Sequence, residues 1–185
     1  LYRSKISITL LIPIHYKLIT IINMSTPDTQ KKATSMELKI PPPIYMAAFL
    51  LLMWLLKNNV PFFAWESSFF ESVGMLLMAI GLLFDGWSFI GFVKSKTTVN
   101  PLKPENANKL VTDRLYRFTR NPMYLGMVFI LTGWCFYLGA FSGFLLLPAF
   151  VLLLTKYQIM PEERILESIF GEEYLRYKTE VRRWI

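Results

Sequence analysis

The side chains best able to do chemistry sit in two polar stretches, each beside a long apolar run. Residues 110–126 read LVTDRLYRFTRNPMYLG and residues 161–178 read PEERILESIFGEEYLRYK. The first offers Arg120, Asn121, Pro122 and Tyr124; the second offers the adjacent carboxylates Glu162 and Glu163. Arg120, with the helix start behind Asn121, can receive an anion, because the first turn of a helix has free N–H groups and a positive dipole end. Glu162 and Glu163 can pair with a cationic centre. Each motif also has a plain structural reading. Asn before Pro, and Pro161 followed by two acids, are ordinary ways to open a helix. A helix start alone, however, does not require Arg120 before the cap or Tyr124 after it. Asp85, inside an apolar run, is a third candidate, since an intramembrane acid is costly. Its plain alternative is a carboxylate close enough to the end of the run to reach water or a nearby lysine.

These groups need elements to position them, and composition indicates which. Hydrophobic residues make up 54% of the 185-residue chain and charged residues 18%. Soluble domains average roughly 45–50% and about 25%, so the balance points to lipid. A net charge of +7 suits either nucleic acid or cytoplasmic loops. The aromatics lie within Leu- and Met-rich runs instead of among the basic residues, which favours the membrane and removes nucleic acid as an expected partner. One cysteine (Cys135) and one histidine (His15) build neither a disulfide framework nor a zinc site, so no metal is expected.

Apolar runs occur at about 44–56, 72–93, 122–138 and 143–157. They lack period-2 alternation and predict helices, although a bilayer core of about 30 Å asks for ~20 helical residues and three of the runs are shorter. Lysines and arginines gather before the first run, after the second and after the fourth, while 61–71 and 139–143 carry none. The expected fold is therefore all-α and integral to the membrane. It has about four transmembrane helices and both termini cytoplasmic, in the inner membrane if the protein is bacterial. Residues 172–185 mix Tyr, Leu, Lys and Trp, which suits an interfacial helix or a solvated tail. Residues 1–43 read as a lead and 44–185 as one domain. For 1–23 three readings compete: a start placed upstream of Met24 (the preferred one), a targeting segment, or a fifth span.

Neither a G-x-G-x-x-G after a strand nor a Walker loop is present, so a nucleotide-like cofactor would be held without a Rossmann domain. TTVNP (97–101), LVTDRLYRFTRNPMYLG (110–126) and PEERILESIFGEEYLRYKTEVRRW (161–184) together resemble the isoprenylcysteine carboxyl methyltransferase and phospholipid methyltransferase superfamily. The resemblance implies a small membrane enzyme that uses S-adenosylmethionine. By resemblance, Leu110, Val111 and Tyr116 would line the adenosine pocket. Arg120, Asn121, Pro122 and Tyr124 stand at the family's Arg-His/Asn-Pro-x-Tyr motif. Glu162 falls at its cofactor-binding glutamate with Glu163 beside it, and Asn100 matches an upstream polar contact. Arg120, Tyr124 and Glu163 are the candidates for a catalytic role. On the substrate side, eukaryotic members that methylate a prenylated cysteine have an arginine where this chain has Gln158, with Lys156 nearby. Partners implied are membrane lipids and a lipophilic or lipid-anchored acceptor. Carboxyl O-methylation is the leading expectation. Phospholipid amine N-methylation and a non-catalytic membrane scaffold are the alternatives.

Overall fold

The computed structural model describes residues 37–95, 107 and 109–185. The described residues belong to one unit, Thr34–Ile185, and contain helices with a single isolated bridge, Ala64 to Ala140, in place of any strand. In order, the helices are α1 (Pro42–Asn59), α2 (Ser68–Ser95), α3 (Pro122–Leu138), α4 (Leu146–Leu154), α5 (Met160–Phe170) and α6 (Glu172–Glu180). Short 3-10 turns cover Arg114–Arg117 and Phe141–Leu145. TTVNP and Asn100 lie outside the described residues, as do 1–23.

The segments Ser68–Gly91 and Phe141–Phe170 are long and apolar enough to cross a membrane, and Pro122–Leu138 is apolar but shorter. The last of the expected runs is longer than its composition suggested. From α4 the backbone stays helical through a π-helical segment, Thr155–Ile159, directly into α5. Leu154, Ile159 and Met160 all have right-handed helical angles, so Pro161 does not open a new helix. The expectation that Glu162 and Glu163 sit at a free helix N-terminus is corrected accordingly. Two bonds explain how a proline is accepted there. The Met160 N–H reaches back five residues to the Thr155 carbonyl, the signature of the π segment. The Tyr157 carbonyl, which Pro161 cannot serve for want of an N–H, accepts instead from Leu38 N–H at 3.1 Å.

α2 and α3 pack antiparallel at two glycine pairs set two turns apart. A Cβ on Gly133 would lie 2.5 Å from the Gly74 carbonyl oxygen, and one on Gly81 would lie 2.6 Å from that of Gly126. Small residues let the backbones touch, the device by which helices associate where lipid removes the hydrophobic drive. Gly133→Val is thus expected to cost about 1–3 kcal/mol or more through overpacking, read as a lowered Tm in detergent. An unchanged Tm would show that the pair is not needed.

At one end, the loops after α1 and α3 are tied together by Trp65 N–H to Gly139 O (2.8 Å) and Phe141 N–H to Phe62 O (3.0 Å). Gly139 takes the left-handed conformation (φ 69°) that closes α3. The apolar interior joins α1, α3 and α4 through Met53, Leu131, Cys135, Phe150 and Leu154. Much of the outer face of α1 and α2 is apolar and exposed, including Leu51, Trp54, Leu82, Leu83 and Trp87. That is the surface a lipid-facing helix presents.

Candidate active site

The two polar stretches, far apart in sequence, meet at the other end of the bundle. Arg120 is the hub. Its guanidinium donates through Nη2 to Glu163 Oε1 (2.8 Å) and through Nη1 to the carbonyls of Lys178 (3.1 Å) and Val181 (2.9 Å). Its backbone N–H donates to Arg182 O at 2.9 Å. On either side, Thr119 Oγ1 and Asn121 Nδ2 both donate to Arg183 O, at 3.2 and 2.9 Å. Asn121 occupies the cap position of α3 but makes no side-chain cap; its amide reaches the C-terminal segment instead. Pro122 fills the first turn, as its fixed φ and missing N–H favour. Arg120 Nε is buried and has no hydrogen-bond partner among the described residues.

Glu162 and Glu163, one residue apart, have different surroundings. Glu163 is buried, and both its oxygens are taken. Oε1 accepts from Arg120 and from Arg183 Nε (3.0 Å), and Oε2 accepts from Arg183 Nη2 at 2.6 Å. Glu162 accepts a 2.5 Å bond from the Tyr124 hydroxyl. Among the described residues it has no cationic partner. One of the adjacent acids is therefore a structural clamp and the other remains open to a cation.

The wall behind them is aromatic. Val111 and Tyr116 are buried against Tyr174, Tyr177 and Val181, with Leu110 packed at the edge. Tyr177 donates its hydroxyl to the Tyr116 carbonyl at 2.7 Å. Burial pushes the phenols of Tyr116, Tyr174 and Tyr177 well above their usual range, so all three stay neutral. α6 thus turns its tyrosines inward against 110–120, whereas the sequence suggested an interfacial helix or a solvated tail. Trp184 follows, donating to Thr155 Oγ1 at 3.2 Å.

The two candidates for the substrate side lie elsewhere on the π segment. Gln158 is fully buried; its Nε2 donates to Ile40 O at 2.6 Å, and its Oε1 has no partner among the described residues. Lys156 is exposed, its ammonium 5.3 Å from the centre of the Tyr157 ring. Sequence reasoning missed Thr119, Arg183 and Ser88. Arg183 showed only as one more positive charge in the tail, and neither hydroxyl carries any signal apart from its contacts.

A helical membrane-type bundle with a carboxylate, an aromatic wall and a guanidinium clamp at one end defines a class, and comparison with known proteins supplies the family. Residues 69–173, more than half of the chain, match the phospholipid methyltransferase family, and the chain belongs to it. An uncharacterized protein of Haemophilus influenzae is 46% identical over 63 residues, covering 34% of this chain and 100% of that protein. A protein-S-isoprenylcysteine O-methyltransferase of Schizosaccharomyces pombe is 34% identical over 115 residues, 60% of this chain and 44% of that enzyme. The chain thus spans less than half the length of the yeast relative. No solved structure matches. Together these similarities support a membrane methyltransferase.

Proposed function

We propose that the protein is an S-adenosylmethionine-dependent methyltransferase acting on a lipophilic or lipid-anchored acceptor. In this reading four spans, formed by α1, α2, α3 and the continuous α4–α5 helix, carry both termini on the cytoplasmic side, and 44–185 is the working domain. The observation that carries it is Glu162: a carboxylate fixed by Tyr124 at 2.5 Å yet without a cation among the described residues. It lies in a segment that the family match covers.

The residues present fit the methyl donor. When bound, S-adenosylmethionine supplies an electrophilic methyl group on a sulfonium. Glu162 offers its second oxygen to a positive centre, and Tyr124 fixes the rotamer of that carboxylate. Tyr116 backs the pocket with a neutral ring. Arg120 Nε and the first turn of α3 are the donors suited to a carboxylate. Glu163, held by Arg120 and Arg183, anchors the C-terminal segment over this site. These residues work by positioning and by excluding water, the means available to a reaction that needs in-line approach. Calorimetric titration of S-adenosylmethionine into the purified chain in lipid nanodiscs is expected to give saturable one-site binding. No binding by a folded sample would sink the proposal.

The names of the relatives offer two acceptors, a carboxyl group and a phospholipid. A carboxyl acceptor calls for a cation on the substrate side. The amide nitrogen of Gln158 is spent on Ile40 O, and Lys156 points over Tyr157.

A further inference from the structure

The 3-10 turn Arg114–Arg117 and the residue after it present aromatic rings to opposite sides. Tyr116 is buried in the wall of the site, whereas Phe118, two residues on, is 76% exposed. Arg114 and Arg117 are exposed on the same turn, and neither joins an ion pair among the described residues. Arg182, also exposed, is brought to this end by the bond from Arg120 N–H to its carbonyl. Lys109 adds a cation and Asp113 an acid, so 109–118 carries three positive charges against one. Arg114 holds a left-handed backbone (φ 55°), which a non-glycine residue adopts at a cost and which collects at ligand clamps. The place of the turn in the chain indicates what it faces. Phe118 lies four residues before Pro122, where the apolar helix α3 begins, and so within about 14 Å of that edge. In the topology proposed above, that edge is the cytoplasmic surface of the bilayer, where anionic headgroups gather. One ring among a few cations is too small for a stable protein interface, which needs about 1,000 Å² or more. It suits a lipid surface, where guanidiniums take phosphates and an aromatic ring enters the acyl boundary.

We infer that residues 114–118 dock on anionic phospholipid headgroups of the bilayer that holds the chain, and that this docking tightens donor binding through Tyr116, an inference that rests on the donor reading above. Arg114 and Arg117 take the phosphates while Phe118 enters the boundary beside them. Tyr116 lies between these groups on one short turn, so anchoring the turn also orders the ring that backs the donor. The site side of the turn is already fixed: the Tyr116 carbonyl accepts from Tyr177 at 2.7 Å, and Thr119 donates to Arg183 O. Headgroups would fix the opposite side. Lipid and donor then each favour the same ordered turn, which makes their binding mutually reinforcing.

The test uses the full chain in nanodiscs of phosphatidylcholine alone and of phosphatidylcholine mixed with phosphatidylglycerol. In one measurement an environment-sensitive fluorophore is attached to Phe118→Cys, the native Cys135 being buried out of its reach. Lipids brominated near the headgroup are expected to quench it strongly in the mixture and weakly in phosphatidylcholine alone, and added salt should shrink the difference. In the other, calorimetry of S-adenosylmethionine should give binding about fivefold or more tighter in the mixture. The double variant Arg114→Gln/Arg117→Gln should lose that gain while keeping the wild-type Tm and the wild-type affinity in phosphatidylcholine. Should the double variant not fold, Phe118→Ser decides the coupling by the same comparison. A fluorophore that stays in water in both compositions overturns the docking and leaves this face to a protein partner. Equal donor affinity in both compositions, or an undiminished gain in the variants, overturns the coupling and leaves the donor reading standing. Should the wild-type chain bind no donor in either composition, the donor reading and the coupling fall together, and the quenching measurement still decides the docking.

Discussion

Glu162→Gln is expected to weaken S-adenosylmethionine binding by about 10- to 100-fold while leaving the fold intact. The glutamine oxygen can still accept from the Tyr124 hydroxyl, which now sits 2.5 Å from Glu162 Oε1, so the local geometry survives. What disappears is the negative charge. A hydrogen bond to a charged group contributes about 1.5–3 kcal/mol, which converts to that range of affinity. Glu163→Gln is the informative contrast. That carboxylate already serves Arg120 and Arg183, so neutralising it should lower stability before it touches binding directly. Calorimetry for affinity and thermal unfolding for stability separate the two effects. Unchanged donor affinity in Glu162→Gln would remove its assigned role.

The largest effect on the fold is expected from Arg120→Ala. The Arg120 and Glu163 side chains are 10% and 8% exposed, so the pair is buried. Removing one member of a buried pair typically costs about 3–5 kcal/mol, because the remaining charge stays desolvated. Here Arg183 keeps Glu163 partly satisfied, but the carbonyls of Lys178 and Val181 lose their shared donor. Residues 178–185 should therefore detach and become sensitive to limited proteolysis. Arg120→Lys should recover little, since a single ammonium cannot serve a carboxylate and two carbonyls in the directions a guanidinium does. Arg183→Ala should be milder, about 1 kcal/mol, because that side chain is 35% exposed. Equal protease resistance in Arg120→Ala and wild type would show that the clamp is dispensable.

Much of the architecture is legible in the chain because it depends on local properties. Apolar runs of helical length, positive charge on alternate connections and the absence of period-2 alternation point to a membrane-type helical bundle with polar ends. The Arg120–Tyr124 and Pro161–Glu163 motifs both lie at one end of that bundle, and their side chains meet there. Local properties also misled. Pro161 followed by acids imitates a helix start, and nothing nearby reveals that Leu38 supplies the N–H that the proline withholds from Tyr157. The tyrosines of α6 look like an interfacial stripe until the 110–120 segment is seen to cover them.

The sequence by itself determined that helices of membrane character would present two acids, an arginine and several tyrosines at one end. Only the tertiary structure decided which of those groups is still available to a ligand. Glu162 and Glu163 are neighbours in the chain, yet side chains one residue apart on a helix point about 100° apart. One meets Tyr124 of α3 and the other meets Arg120 and Arg183. The phase that sends each to its partner is set by the π segment before Pro161, whose carbonyl and side-chain partners come from residues 38–40 and from Trp184. Those contacts span more than a hundred residues on one side and more than twenty on the other. Composition and spacing carry no record of pairings that distant, so the division of labour between the two acids emerges only when the chain has folded.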